Sequence, residues 1–155
     1  MQVQESPRVR RQRIAGKTAI KRSRLSAPAQ WLLDHGLLEG RILDFGCGRG
    51  DLKLFLDGDI EQYDPNWHPN RPRGKFDVVV CIYVLNVLRG ADRMNAISGA
   101  RSFTRKDGQT YFAVRRDIKN QGVRSGGTEQ FDVKLRLPSL VKKAGAFEIY
   151  HWPNN

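Results

Sequence analysis

Short apolar runs alternate along the chain with longer amphipathic stretches, which predicts a strand–helix series. Ser26-Ala27-Pro28 supplies a capping hydroxyl and a first-turn proline, so a helix starts there, carries Trp31, Leu32 and Leu33 on its apolar side and stops at Gly36. His35 falls in its last turn, as a surface residue or a favourable C-terminal cation. Strands are predicted over residues 41–45 and 59–63, with a helix over 51–57 that turns Leu52, Phe55 and Leu56 to the sheet. Phe76-Asp77-Val78-Val79-Val80-Cys81-Ile82 reads as a strand buried on both faces. A helix follows over 91–103, with Met94, Ile97, Ala100 and Phe103 inward. Asp107-Gly108 turns into a strand over 109–115, residues 130–137 alternate as a strand, a short helix runs from Pro138 to Gly145, and 147–152 form the last strand. Three prolines and a glycine exclude a regular element over 65–74. Residues 1–16, rich in arginine and interrupted by Pro7, read as unstructured, and the glycine-rich stretch 121–128 reads as a mobile loop. This order predicts an α/β fold: a compact Rossmann-like, mostly parallel sheet with helices on both faces.

One junction carries candidate chemistry. The first strand runs into Asp44-Phe45-Gly46-Cys47-Gly48-Arg49-Gly50-Asp51, a glycine turn that opens a helix at the carboxyl end of a parallel strand. Asp64, twenty residues after Asp44, ends the second strand and would place a carboxylate against ribose hydroxyls. A dinucleotide fingerprint needs glycines at the first, third and sixth positions, and the sixth position from Gly46 is Asp51. The pyrophosphate pattern therefore fails. Ala15-Gly16-Lys17-Thr18 is not a phosphate-binding loop either, because Arg11 stands where the leading glycine belongs and no strand precedes it.

Charge divides the chain. Of a net +11, residues 1–24 contribute +7, with Arg8, Arg10, Arg11, Arg13, Lys17, Lys21, Arg22 and Arg24 against Glu5 alone. A basic, largely flexible arm (1–24) on a nearly neutral domain (25–155) suits phosphate contact with nucleic acid; the alternative is a solvated tail. The 155 residues, 39% hydrophobic, suffice for one core. No apolar run of about 18 residues or N-terminal apolar segment is present, and Cys47 and Cys81 lack metal spacing, so a cytoplasmic chain with reduced thiols is expected.

The pattern acid-x-Gly-x-Gly-x-Gly resembles motif I of the class I S-adenosylmethionine (SAM) methyltransferases, and the element order from about residue 28 to 152 is similar to theirs. Thr18-Ala19-Ile20-Lys21-Arg22, Leu25-Ser26-Ala27-Pro28, Gly36-Leu37-Leu38, the glycine turn, Tyr63-Asp64-Pro65 and Tyr83-Val84-Leu85-Asn86-Val87-Leu88 together resemble a bacterial and phage group of methyltransferase-like proteins. That group includes proteins associated with DNA phosphorothioation. The resemblance implies SAM as cofactor, bound by Asp44, Gly46, Cys47, Gly48, Gly50, Asp64 and Tyr83, in a DNA-modification or phage setting. Two departures stand out. Only twelve residues separate Asp64 from Asp77, so the third strand and its helix are missing. A more open adenine site would then be covered by Trp67 or Tyr83, unless Trp67 only anchors its loop. The edge left beside the missing strand is open to a second copy, as a homodimer. Second, Cys81-Ile82-Tyr83-Val84-Leu85-Asn86 has no Pro-Pro pair of the kind amino-methylating nucleic-acid enzymes carry.

Catalysis by displacement at a sulfonium needs mainly positioning, with a base only where the acceptor must lose a proton early. Tyr83, Asn86 and Asp117 are the candidates; Asn86 could instead cap a turn, and Asp117 could pair with Arg115 or Arg116. Cys81, with no basic neighbour in sequence, reads as inert rather than nucleophilic. The expected activity is methyl transfer to DNA or RNA. A small-molecule or protein acceptor, or a SAM-binding or SAM-degrading protein that transfers nothing, are the alternatives.

Overall fold

The computed structural model describes residues 5–16, 19, 22–119, 121–123 and 128–155. Lys17 and Lys21 of the arm, and 124–127 of the glycine-rich stretch, lie outside them. In chain order come α1 (Pro7–Gly16), α2 (Ala27–Asp34), β1 (Ile42–Phe45), α3 (Asp51–Phe55), β2 (Ile60–Tyr63), β3 (Phe76–Ile82), a 3-10 turn (Leu85–Val87), α4 (Gly90–Phe103), β4 (Thr104–Arg115), β5 (Gly122–Val123), β6 (Glu129–Gln130), β7 (Ser139–Lys143) and β8 (Phe147–Pro153). Among the described residues one six-stranded sheet has the order β2-β1-β3-β4-β8-β7, and β5 and β6 form a separate pair. The first four strands pair in parallel, and β8 runs antiparallel to both β4 and β7. The α/β expectation holds, including the missing helix–strand unit: β2 is an edge strand, and the segment after it makes only an isolated bridge between Asp64 and His68.

Strand alternation sorts the core onto two faces. Ile42, Val78, Val80, Ala113 and Ile149 meet Ala29 and Leu32 of α2 and Leu52 of α3 on one face. Leu43, Val79, Cys81, Phe112 and Val114 meet Ala100 and Phe103 of α4 on the other. The cap of α2 forms as expected, with Ser26 Oγ accepting from the Ala29 N–H at 3.4 Å. Two expected inward residues face out: Met94 is 61% exposed and Phe55 37%.

Three expectations are corrected. Residues 1–16 are not unstructured throughout, because Ser6 and Pro7 start α1 by the same device as α2: Ser6 Oγ accepts from the Val9 N–H at 3.3 Å, and Pro7 takes the first helical position. Arginine, moreover, is a good helix former. The stretch from Pro138 to Gly145 is not a helix; Ser139–Lys143 pairs with β8, and ladder bonds override the local helix signal. Residues 131–137 join no ladder. Their alternation is real, since Phe131, Val133, Leu135 and Leu137 all pack on the α4 face, but the segment lies across the core as an extended strap.

The strap is tied down by a buried ion network. Arg116 donates to Glu148 Oε1 from Nε (3.0 Å) and Nη2 (2.7 Å), and to Asp132 Oδ1 from Nη1 (2.9 Å). Arg116 and Glu148 side chains are 7% and 8% exposed. Burial pushes the Glu148 carboxyl up, but hydrogen bonds from Ser139, Arg116 and Tyr150 outweigh it and hold the group below its ordinary value. A depressed carboxyl stabilises the fold above its unfolded-state pKa and loses that contribution as pH falls through the native one. Arg116→Met should therefore cost about 3–5 kcal/mol at neutral pH by urea denaturation, with a smaller deficit in acid. A neutral-pH loss under about 1 kcal/mol would show that the network carries no net weight.

Candidate functional site

The carboxyl ends of β1, β2 and β3 open into a cavity of about 290 Å³. The glycine turn forms its floor. Gly46 and Cys47 N–H groups donate to the Tyr63 carbonyl at 2.7 and 3.0 Å, which ties the turn to the end of β2. Gly46 has φ +78°, and a Cβ there would sit 2.3 Å from Val84 Cγ2, so no other residue fits. A Cβ on Gly48 would stand 3.0 Å from that of Ala19, which approaches from the arm.

Asp64, 8% exposed, is committed to the protein as much as to any ligand. Its Oδ2 accepts from the Gly48 N–H at 3.0 Å, and its Oδ1 from Asn66 (2.8 Å) and Trp67 (3.1 Å). With two acceptor sites per oxygen, Oδ2 keeps one for a ligand hydroxyl. Asp44 contrasts with it. It is 6% exposed, lines the cavity and has no hydrogen-bond partner among the described residues. Burial, then the neighbouring Asp51 and Asp64, push its carboxyl up to about 7. Asp51 opens α3 and pairs with Arg22 at 3.2 Å. Cys47 is buried beside these acids, and its thiol is held far above its usual range by burial and by Asp44.

The candidate catalytic residues are not brought together. Tyr83 lines the cavity, half-buried, and its backbone is left-handed at φ +58°. A tyrosine in this conformation carries strain that the surrounding fold must hold, and such strain clusters at functional sites. Burial raises its hydroxyl above the usual phenol range, so it is a neutral donor near pH 7. Asn86 is 1% exposed and turns away from the cavity, donating from Nδ2 to Gln130 Oε1 at 2.9 Å. Asp117 is gripped by Arg115 through bonds of 2.8 and 2.7 Å and does not line the cavity. Cys81 is fully buried in the α4-side core. Trp67 does not line the cavity; its Nε1 donates to the Gly16 carbonyl at 3.1 Å, and Arg49 stacks on its ring at 4.6 Å.

The roof was missed in the sequence. Arg8, Gln12, Ala15 and Gly16 of α1, with Ala19 and Arg22, line the cavity opposite the glycine turn. The spacing 8-12-15-16 is that of one helical face, a signal hidden by reading the segment as unstructured. Val84, Val87, Leu88 and Ala96 supply an apolar wall.

No family model matches the chain, and no curated protein matches it. Among solved structures it is similar to the magnesium protoporphyrin IX methyltransferase ChlM from Synechocystis PCC 6803 with bound SAM, at 15% identity and TM-score 0.47, covering 97% of this chain and 85% of that one. The same enzyme with bound SAH (S-adenosylhomocysteine) gives 14% and 0.47, covering 97% and 89%. The glycopeptide N-methyltransferase MtfA complexed with SAH gives 12% and 0.44, covering 96% and 82%. At these identities the likeness assigns neither chemistry nor substrate.

Asp44 generates a test on the free protein. A carboxyl whose native pKa is raised binds more protons folded than unfolded, so its ionisation destabilises the fold as pH rises between about 4 and 7. Asp44→Asn should thus raise the melting temperature at pH 8 relative to wild type, and much less so near pH 4. Equal shifts at both pH values would show that Asp44 is not held in this way.

Proposed function

We propose that the cavity binds SAM and that the protein transfers its methyl group to a nucleic acid. The observation that carries the cofactor reading is Asp44, a buried carboxyl on the cavity floor with no hydrogen-bond partner among the described residues. A buried charge without a partner is costly, so its position favours a ligand that brings a cation or donor to it. The ammonium of SAM's methionine moiety answers that need. A dinucleotide pyrophosphate does not, since at the floor it would face Asp44, and the N–H groups of Gly46, Cys47 and Gly48 are already taken by Tyr63 and Asp64.

The remaining residues fit the same ligand. The free acceptor site on Asp64 Oδ2 suits a ribose hydroxyl. Gly46 and Gly48 let the backbone approach closely. Val84, Val87, Leu88 and Ala96 exclude water around an apolar ring or thioether. Bound there, SAM supplies an electrophilic methyl carbon. Tyr83 is the one candidate catalytic residue on the cavity wall, and its neutral hydroxyl orients an acceptor rather than deprotonating it. Asn86 and Asp117, engaged elsewhere, are not assigned to the chemistry. This favours acceptor atoms that react without early proton loss.

The nucleic-acid acceptor rests on the cations of the arm and on the resemblance to phosphorothioation-associated proteins. Homodimerisation through the β2 edge is a compatible arrangement, because that edge strand has no partner on its outer side among the described residues.

Two measurements test these readings. By calorimetry, SAH should bind more tightly at pH 8 than at pH 6, because Asp44 ionises near 7. Asp44→Asn should weaken binding roughly tenfold or more and lose that pH dependence. Binding that ignores both pH and the substitution would move the ammonium elsewhere. Labelled methyl from SAM should then enter DNA or RNA in a nuclease-sensitive form. Label in protein or small molecules would replace the acceptor class. No transfer despite SAH binding would favour a SAM-binding protein that transfers nothing.

A further inference from the structure

The helix that roofs the cavity has two faces. Arg8, Gln12, Ala15 and Gly16 point to the cavity. On the helical wheel Arg10 lies directly opposite and Arg13 on its flank, and both are exposed. None of the ten residues of α1 is buried. A helix this short is marginal in water by itself, so it stands by what holds it. Polar contacts to the rest of the fold do so: Asn66 Nδ2 donates to the Gln12 carbonyl (2.9 Å), Trp67 Nε1 to the Gly16 carbonyl (3.1 Å), and Arg11 Nε to Asp92 Oδ2 (2.8 Å).

Charge on α1 is only partly compensated. Asp92 matches Arg11, and Glu5 matches Arg13 at 3.0 Å. Arg8 and Arg10 have no ion-pair partner among the described residues. Arg10 and Arg13 sit at i, i+3, where like charges repel and weaken a helix, and the single carboxylate of Glu5, bonded to Arg13, faces both guanidinium groups. One carboxylate leaves a net positive charge on this face, and guanidinium groups match phosphate oxygens in charge and shape. Anything that stabilises the helix also stabilises the roof, because Arg8, Gln12, Ala15 and Gly16 of the helix line the cavity.

We propose that the outer face of α1 takes backbone phosphates of a nucleic acid, and that this contact closes the roof over the cofactor, so that each ligand strengthens binding of the other. The inference rests on the SAM reading above and adds coupling to it. Both ligands favour the docked helix, one from outside and one from inside. Linkage then requires the coupling to be reciprocal.

The test uses the full chain, SAH and a DNA duplex of about 20 base pairs. Saturating DNA should lower the SAH dissociation constant about fivefold or more, and saturating SAH should lower that of DNA by the same factor. The gain should shrink as salt rises from about 50 to about 200 mM. Arg10→Gln/Arg13→Gln should lose the gain, with the α-helical circular dichroism of the folded domain as a check on integrity. SAH binding that DNA leaves unchanged would overturn the coupling while the cofactor reading stands. Failure to bind SAH with or without DNA would overturn both. An equal gain from polyglutamate of matched charge would overturn the assignment to phosphate.

Discussion

The Asp64 carboxylate accepts three backbone N–H groups at once, from Gly48, Asn66 and Trp67. A tight glycine turn next to a buried strand end leaves donors that the helix and sheet ladders cannot satisfy, and each orphan would cost on the order of 1–3 kcal/mol. The Tyr63 carbonyl at the end of β2 and Asp64 next to it take Gly46, Cys47 and Gly48 between them. The same carboxylate orders the loop that follows, and from this loop Asn66 and Trp67 reach the carbonyls of α1. Floor and roof of the cavity are therefore set from one side chain.

Loss of a third strand makes this economy necessary. The sheet stops at β2, and the twelve residues between Asp64 and Asp77 close the edge with side chains in place of a ladder. Arg41 does much of it at the opposite end from the cavity. Its Nη1 donates to the Arg73 and Lys75 carbonyls at 2.9 and 3.0 Å, and its guanidinium lies 4.2 Å from the Phe76 ring centre. Arg71 stacks on Phe103 at 5.3 Å. At the cavity end, Trp67 holds α1 through the Gly16 carbonyl.

The strands of the sheet's centre were legible because burial on both faces writes continuous apolar runs, as in Val78-Val79-Val80. The glycine turn was legible because backbone geometry admits so few residues there. What escaped reading depends on long-range partners. Residues 131–137 carry a true period of two, yet they join no ladder among the described residues. Ser139–Lys143 has a helix-start proline before it, but the partner strand β8 decides its state. α1 shows the opposite failure. Its Ser-Pro start is local and readable, but its arginine content is equally that of a disordered tail. Its inward face could be seen only once the loop after Asp64 was folded.

Four carboxylates line the cavity, and the way each is compensated explains its electrostatic preference. Asp51 has Arg22, Asp92 has Arg11, and Asp64 has three N–H donors. The chain provides nothing of the kind for Asp44 among the described residues. The turn spends the N–H groups of Gly46, Cys47 and Gly48 on Tyr63 and Asp64, so these are not free for a phosphate, and Asp44 is left over beside them. The glycine spacing and the charge arrangement thus reach one conclusion by independent routes. The first removes the geometry a pyrophosphate needs, and the second leaves at the turn a carboxyl that a cationic group would answer.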